Sequence, residues 1–188
     1  SEWLSVAPVA DVCAALAELC ACYDDWISAR ETEVGTLPTT LPGTAHRHMD
    51  ECRNALKRMR GGIELLEKDG PEMIAFRLAN RALWQQNEWK RKRDARASSL
   101  VWRPFQMAFV LLCMASTGDR DHPDRRVMDL LWFPTGGGKT EAYLLLTAYT
   151  IFLRRQQGGQ ETEGVTVLMR YTLRLLTAQQ FQRAAAMI

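Results

Sequence analysis

The sequence predicts an α/β protein in which an all-helical region, residues 1–98, precedes the first part of a parallel β-sheet, residues 99–188. Three observations support this prediction. Apolar residues recur at helical spacing through the first hundred residues. Two short apolar runs, 127–133 and 165–169, have the length of buried strands, and each is followed by a segment with a helical pattern. Such alternation is typical of a parallel sheet with right-handed crossovers.

Three helices are predicted in the N-terminal region. Apolar spacing places the first from about residue 8 to 28 and the second from about 49 to 66. The segment from Gly35 to Gly43 contains two prolines and separates them, and Gly70-Pro71 ends the second helix. The third helix runs from Pro71 into the nineties. The sequence identifies no catalytic or ligand-binding motif within these three helices.

Charge is distributed unevenly along the chain. Residues 1–35 carry seven acids and one base, so with a net charge of +2 the remainder is about eight charges positive. Such a balance suits a polyanionic partner. The third helix ends in a basic run, Lys90 to Arg96. A run of this kind is either a solvated helix face or a nucleic-acid contact, and the sequence leaves both open.

Composition narrows the class of protein and its compartment. A hydrophobic content of 47% with 24% charged residues is typical of a globular protein. The longest apolar run, Met107 to Ala115, is too short to span a bilayer, and no signal peptide is visible, so no membrane association is expected. Five cysteines without framework spacing indicate a reducing, cytoplasmic environment. Neither Cys20-x-Cys22 nor His46-x-His48-x₃-Cys52 has the usual spacing of a metal site.

The C-terminal region supplies the elements of the predicted sheet. They are, in order, a helix opened by Arg103-Pro104-Phe105-Gln106, a polar loop at 118–126, a strand at 127–133, a helix at 139–155, a turn at 156–164, a strand at 165–169 and a helix at 172–187. Pro104 suits the first turn of its helix because its fixed φ is already helical.

The segment 133–140, Phe-Pro-Thr-Gly-Gly-Gly-Lys-Thr, predicts a phosphate-binding loop. Glycines 136–138 let backbone N–H groups approach phosphate oxygens without interference from a Cβ. Lys139 is placed to contact the β- and γ-phosphates, and the Thr140 hydroxyl is placed to ligate Mg²⁺. The following helix directs its positive N-terminus at the same anion. The loop departs from the strict pattern at Phe133, where glycine is usual.

Two flanking segments favour ATP and a nucleic acid as ligands. The Gln106 amide is able to pair with the N6 and N7 edge of adenine, while Phe105 is able to stack on the base. After the loop, a strand end and helix start rich in arginine and hydroxyls suit a phosphodiester. The predicted ATP-binding residues are Phe105, Gln106, Thr135, Gly136, Gly137, Gly138, Lys139 and Thr140, the last two also catalytic. The predicted nucleic-acid contacts are Arg170, Thr172, Arg174 and Gln179.

Residues from about 100 to 188 resemble the first RecA-like domain of superfamily 2 helicases and translocases. Arg103–Gln106 resembles the Q motif, Phe133–Thr140 motif I and Arg170–Gln179 motif Ia. The amino-acid sequences of residues 131–143 and 168–180 further resemble those of the helicase subunit of bacterial DISARM phage-defence systems. Motif Ia departs from the common form, with Tyr171 in place of proline, Leu173 in place of arginine and the glutamine one place late.

The resemblance implies two RecA-like domains that clamp ATP with Mg²⁺ and step along DNA, together with other protein subunits of a defence complex. After Thr140 no acidic residue ends an apolar strand, where the carboxylates of motif II belong. We therefore expect a piece of a larger protein that, expressed alone, is poorly soluble or needs a partner and does not hydrolyse ATP above background. The main alternative is a non-catalytic nucleotide-binding switch whose helical region docks a partner. A phosphate-loop kinase is disfavoured by motif Ia.

Overall fold

The structure is a computed structural model that describes residues 2–36, 38, 42–94, 96–134, 136–158, 164–170 and 176–185, of which 176–180 are described by their backbone alone. In these ranges the regular elements are helical. They are α1 (Glu2–Val6), α2 (Val9–Val34), α3 (Pro42–Glu67), α4 (Pro71–Arg93), α5 (Pro104–Gly118), a 3₁₀ turn (Pro123–Arg126), α6 (Lys139–Gly158) and α7 (Leu176–Ala185).

The three helices predicted in the N-terminal region are confirmed as α2, α3 and α4. Helix α3 begins at Pro42, about two turns earlier than its apolar spacing indicates. A proline in the first turn suits this start, because its missing N–H has no intrahelical partner there. Helix α4 likewise begins with a proline, Pro71. Helix α6 begins at Lys139 as predicted and continues to Gly158.

Helices α2 and α3 pack on each other and are joined by an ion-pair cluster at their surface. The Arg53 guanidinium donates to both carboxylate oxygens of Glu31, at 3.0 and 2.6 Å, and also contacts Asp24. Arg60 donates to Asp24 at 2.6 Å. The hydrogen bond from Arg53 lowers the pKa of Glu31, and that from Arg60 lowers the pKa of Asp24. Part of the acidic charge near the N-terminus is therefore paired within the protein.

One hydrophobic core joins the two regions of the chain. It contains buried side chains from α2 and α3, such as Ile27 and Leu66, and from α5 and α6, such as Leu111 and Tyr149. Helix α4 packs along α6, and α3 packs along α5. The predicted division near residue 98 falls between α4 and α5, and it remains a prediction about domain organisation.

Gly62 explains how closely α3 approaches α5. A Cβ at this position would lie 2.4 Å from the backbone oxygen of Leu111, a separation that real Cβ atoms do not adopt. Any larger residue would push the two helices apart. The glycine in the middle of α3, which weakens a helix by its intrinsic propensity, here permits tight packing against the backbone of α5.

The predicted α/β fold with a RecA-like parallel sheet is wrong. Within the described ranges there is no β-strand, and residues 127–134 and 165–170 have no regular secondary structure. Their apolar side chains are not buried either: Met128, Leu130 and Trp132 are 91%, 83% and 87% exposed. The core that was expected between sheet and helices is instead formed by helices packed on helices.

Candidate phosphate-binding loop

The extended segment that leads into the glycine-rich loop is held by side chains rather than by a sheet. Arg58 of α3 donates two hydrogen bonds to the Asp129 carboxylate, at 2.6 and 2.8 Å. Its Nε lies 3.2 Å from an oxygen of Asp124, in the preceding 3₁₀ turn. The Arg58 side chain is only 11% exposed, so water screens its ion pair with Asp129 weakly. Asp129 thus anchors the segment to α3 a few residues before the loop.

Two glycines give the loop its shape. Gly136 and Gly138 have φ of +80° and +93°, in the left-handed region that other residues rarely adopt. Between them, the N–H of Gly137 donates to the Pro134 carbonyl at 3.1 Å and closes a tight turn. A Cβ on Gly137 would lie 2.6 Å from Cδ1 of Phe133 and 2.9 Å from the Pro134 carbonyl oxygen. Positive φ at two of the glycines and this close approach at the third therefore account for all three.

Lys139 is the first residue of α6, and its side chain folds back over the loop. The ammonium donates to the Pro134 carbonyl at 3.1 Å and to the Phe133 carbonyl. The first N–H groups of a helix have no intrahelical acceptor, and Lys139 is the residue at which α6 begins. The loop thereby gathers a full positive charge and a helix N-terminus at one place.

Helix α5 contacts the loop through Arg103 and Gln106. The Gln106 amide nitrogen donates to the Gly138 carbonyl at 2.7 Å, while its oxygen accepts from the Arg103 N–H at 2.7 Å. The Arg103 guanidinium donates to the Gly137 carbonyl at 3.0 Å. Gln106 is 3% exposed. Both ends of its amide are thus engaged within the protein.

Phe105 and Phe133 make the second contact between α5 and the loop. Their rings stack with centroids 4.0 Å apart and planes 14° from parallel. Phe133, at the position where a phosphate loop usually has glycine, therefore has a packing role. One face of the Phe105 ring is therefore covered by Phe133.

The structure brings together one of the two predicted sets of site residues. Phe105, Gln106 and 136–139 meet at the loop, and Thr140 lies in the first turn of α6. Thr135, Thr172 and Arg174 lie outside the described residues, as does the Gln179 side chain. Arg170 is exposed at the end of an extended segment and borders a groove with Thr117 and Tyr143.

Sequence reasoning assigned no role to Arg103 or Arg58. Arg103 belongs to the segment Arg103–Gln106 that resembles the Q motif, but nothing in an arginine before a proline indicates a contact with a loop 34 residues later. Arg58 is 71 residues from Asp129, and no local pattern connects them. Both are contacts of the tertiary fold.

The loop residues offer donors for phosphate oxygens and one hydroxyl for Mg²⁺. Around Gly136, nothing lies within 4 Å of the position of a Cβ, so its backbone is open to a ligand. With the Lys139 ammonium and the start of α6, this donor set suits phosphate oxygens. The Thr140 hydroxyl makes no hydrogen bond with the described residues, which suits a cation ligand. In those ranges no group of three or more His, Cys, Asp or Glu is arranged to hold a metal ion.

None of the helices in the described part of the chain has both the length and the apolar character needed to cross a bilayer. Together, the fold and the site define a helical protein with a glycine-rich loop at the start of a long helix.

The chain is similar in sequence to a DISARM protein. Over 183 residues the chain is 38% identical to the DISARM protein DrmA of Bacillus paralicheniformis. The match covers 88% of this chain but 16% of that protein, so the chain spans about one sixth of its relative's length. The similarity supports a relationship to DISARM proteins. No protein-family model matches the chain.

Proposed function

We propose that residues 133–140 bind ATP with Mg²⁺, and that the chain acts within a longer ATP-dependent DNA helicase or translocase of a DISARM phage-defence system. The observation that carries the proposal is the position of Lys139. Its ammonium lies over the glycine turn, on the Phe133 and Pro134 carbonyls, at the first residue of a 20-residue helix.

A triphosphate competes well for this lysine. The two carbonyls are neutral acceptors, whereas phosphate oxygens carry negative charge, so the ammonium gains an ion pair in addition to its hydrogen bonds. The N-terminus of α6 adds a favourable field for the same anion. In this proposal the Lys139 ammonium moves from the loop carbonyls to the β- and γ-phosphates, while Gly136 and Gly138 keep the turn open.

Thr140 is the residue that we assign to Mg²⁺. This cation retains several waters and takes most of its remaining ligands from phosphates, so one hydroxyl is a sufficient contribution from the loop. Bound Mg²⁺ neutralises charge on the phosphates during transfer. The acids close to the loop already have partners, since Asp129 is bound by Arg58 and Glu141 by Arg183.

Motor activity and the role in defence rest on the similarity of the chain to its relative and on the resemblance of its motifs. In this proposal Arg170, Thr172, Arg174 and Gln179 contact a DNA strand, and other subunits of a cytoplasmic defence complex are partners. The alternative, a nucleotide switch without hydrolysis, has no specific observation in its favour. ATPase activity of the full-length protein, measured with and without DNA, separates the two, since a helicase or translocase is stimulated by DNA and a switch is not.

Calorimetric titration of ATP with Mg²⁺ tests the loop directly. Lys139→Ala is expected to weaken ATP about ten- to a hundredfold, the range for a hydrogen bond to a charged group. The matched control is Lys57→Ala, because Lys57 is an exposed lysine of α3 away from the loop. Wild-type affinity in Lys139→Ala, or an equal loss in Lys57→Ala, would overturn the assignment of the loop.

A further inference from the structure

A second candidate site lies in a groove between α4, the start of α6 and α7. Its volume is 760 Å³, and both the loop helix and the basic end of α4 contribute to it. On the α4 side it is bordered by Gln86, Trp89, Lys90 and Arg93, and on the α7 side by Arg183. The groove does not include the glycine turn.

The α4 residues form one continuous stripe. Gln86 and Lys90 are four residues apart, as are Trp89 and Arg93, and helical residues at this spacing share a face. From Gln86 to Arg93 the stripe extends about 10 Å along the helix axis, at a rise of about 1.5 Å per residue. Polar, aromatic and cationic groups therefore line one wall of the groove in a row.

The groove has unpaired positive charge. Within the part of the chain that the structure describes, the side chains of Lys90 and Arg93 make neither a hydrogen bond nor an ion pair. Of the two acids that border the groove, Glu141 is paired with Arg183 of the same lining at 2.6 Å, whereas Asp94 accepts only a backbone hydrogen bond, from the Arg96 N–H at 3.0 Å, and keeps its charge. Lys90 and Arg93 together outweigh Asp94, so the charge at the groove is positive on balance.

Trp89 indicates which anion fits. Its side chain is 46% exposed, although a large aromatic gains from burial. A tryptophan between cations is suited to an unpaired base, which stacks on the indole while phosphates meet the cations. Bases of a duplex are already stacked and are not available to it. An acidic peptide would satisfy the cations but not the indole.

We propose that this groove binds single-stranded nucleic acid, with phosphates on Lys90 and Arg93 and a base stacked on Trp89. The site is separate from residues 170–179 and does not need nucleotide in the loop. It gives the basic run of α4 a function beyond that of a solvated helix face.

Fluorescence anisotropy with a labelled oligo-dT tests the proposal in the whole protein, without nucleotide. Lys90→Ala is expected to weaken binding and to lower the salt slope of log K by about 0.7, the value for one phosphate contact on a single strand. Trp89→Leu is expected to weaken binding roughly tenfold with the salt slope unchanged. Circular dichroism checks that each variant is folded.

Two matched controls lie outside the groove. Lys92→Ala removes the same charge from the same helix, and Trp26→Leu removes a tryptophan of α2 that is 47% exposed. Both are expected to bind as the wild type does. Lys139→Ala is also expected to retain oligo-dT binding, which separates this site from the phosphate loop.

Three results would overturn the proposal. One is equal loss in Lys90→Ala and Lys92→Ala, which would indicate attraction by overall charge. Another is equally good competition by a duplex of the same length. The third is displacement of oligo-dT by polyglutamate at comparable charge concentration, which would point to an acidic protein as the occupant.

Discussion

The side-chain amide of Gln106 donates a hydrogen bond of 2.7 Å to the backbone carbonyl of Gly138, which links α5 directly to the glycine-rich loop. The link is short because Gly138 has no side chain: a Cβ there would lie 2.8 Å from the same amide nitrogen. The other end of the amide accepts from the Arg103 N–H. Gln106 therefore holds the loop in place as the structure stands, whereas recognition of adenine would require this bond to open.

Gln106→Ala separates these two roles. Because both ends of the amide are engaged with the protein, we expect the variant to weaken ATP and GTP by the same factor, through a loosened loop. The free energy of unfolding should fall by about 1 kcal/mol, because the Gln106 side chain no longer accepts the hydrogen bond from the Arg103 N–H that caps the start of α5. Calorimetric titration with each nucleotide measures the effect. Selective loss of ATP would instead show that the amide reads the base.

Helices with a long amphipathic pattern were predictable from sequence. The apolar spacing of α2 and the start of α6 after the glycines follow from local rules of helix formation. The early start of α3 was missed because residues 42–48 are mostly polar and carry no apolar stripe. Prolines 42 and 71 mark helix starts, and at Pro42 this local information outweighed periodicity.

The sheet was predicted wrongly because an apolar run in a sequence does not specify which other segments of the chain pack against it. Residues 127–133 have the composition of a buried strand, yet Leu130 and Trp132 are exposed and the chain has no ladder partner among the described residues. A strand is stabilised by its neighbours, which lie far away in sequence. Composition alone therefore does not distinguish a buried strand from an exposed extended segment.

The candidate site likewise contains some residues that the sequence identified and others that only the structure reveals. The glycine turn and Lys139 were identified because phosphate chemistry imposes a short, contiguous pattern. Arg58 and Asp129 meet only because α3 packs beside the 3₁₀ turn and the extended segment that follows it. Contacts of this kind require the tertiary arrangement, which no single-sequence pattern encodes.

The pair of Arg58 and Asp129 is expected to stabilise the approach to the loop. Arg58→Ala leaves the Asp129 carboxylate partly buried without its partner, so we expect a loss of roughly 2 kcal/mol, below the range for fully buried pairs. Urea unfolding measures it. The control is Arg53→Ala, whose side chain is 38% exposed and whose surface pairs, screened by water, should contribute clearly less. Equal losses in the two variants would contradict the burial argument.

Cys113 makes stability depend on pH in the alkaline range. Burial raises the pKa of its thiol from 9.0 to about 12, and the nearby Asp129 carboxylate adds to the shift. Above pH 9 the unfolded chain releases this proton while the folded protein keeps it. Stability is therefore complete below pH 9 and falls by about 1.4 kcal/mol per pH unit as pH rises toward 12.

The Cys113→Ala variant isolates this contribution from other groups that titrate in the same range. We expect the difference in unfolding free energy between wild type and variant to be constant from pH 7 to about 8.5, and to narrow above it as the thiol loses its advantage. Urea unfolding at a series of pH values provides the measurement. A difference that stays constant up to pH 11 would show that the thiol titrates normally in the folded state.

Trp132 and Trp102 provide the last test, because they are the same residue type in opposite environments. Trp132 is 87% exposed, whereas the Trp102 indole N–H donates to the buried Asn80 amide oxygen at 2.8 Å. Trp132→Ser should therefore change the free energy of unfolding by less than about 0.5 kcal/mol. Trp102→Ser should cost roughly 2 kcal/mol, since it removes packing and leaves a buried acceptor unpaired. A loss in Trp132→Ser as large as that in Trp102→Ser would mean that the extended segment is buried, contrary to its exposed side chains.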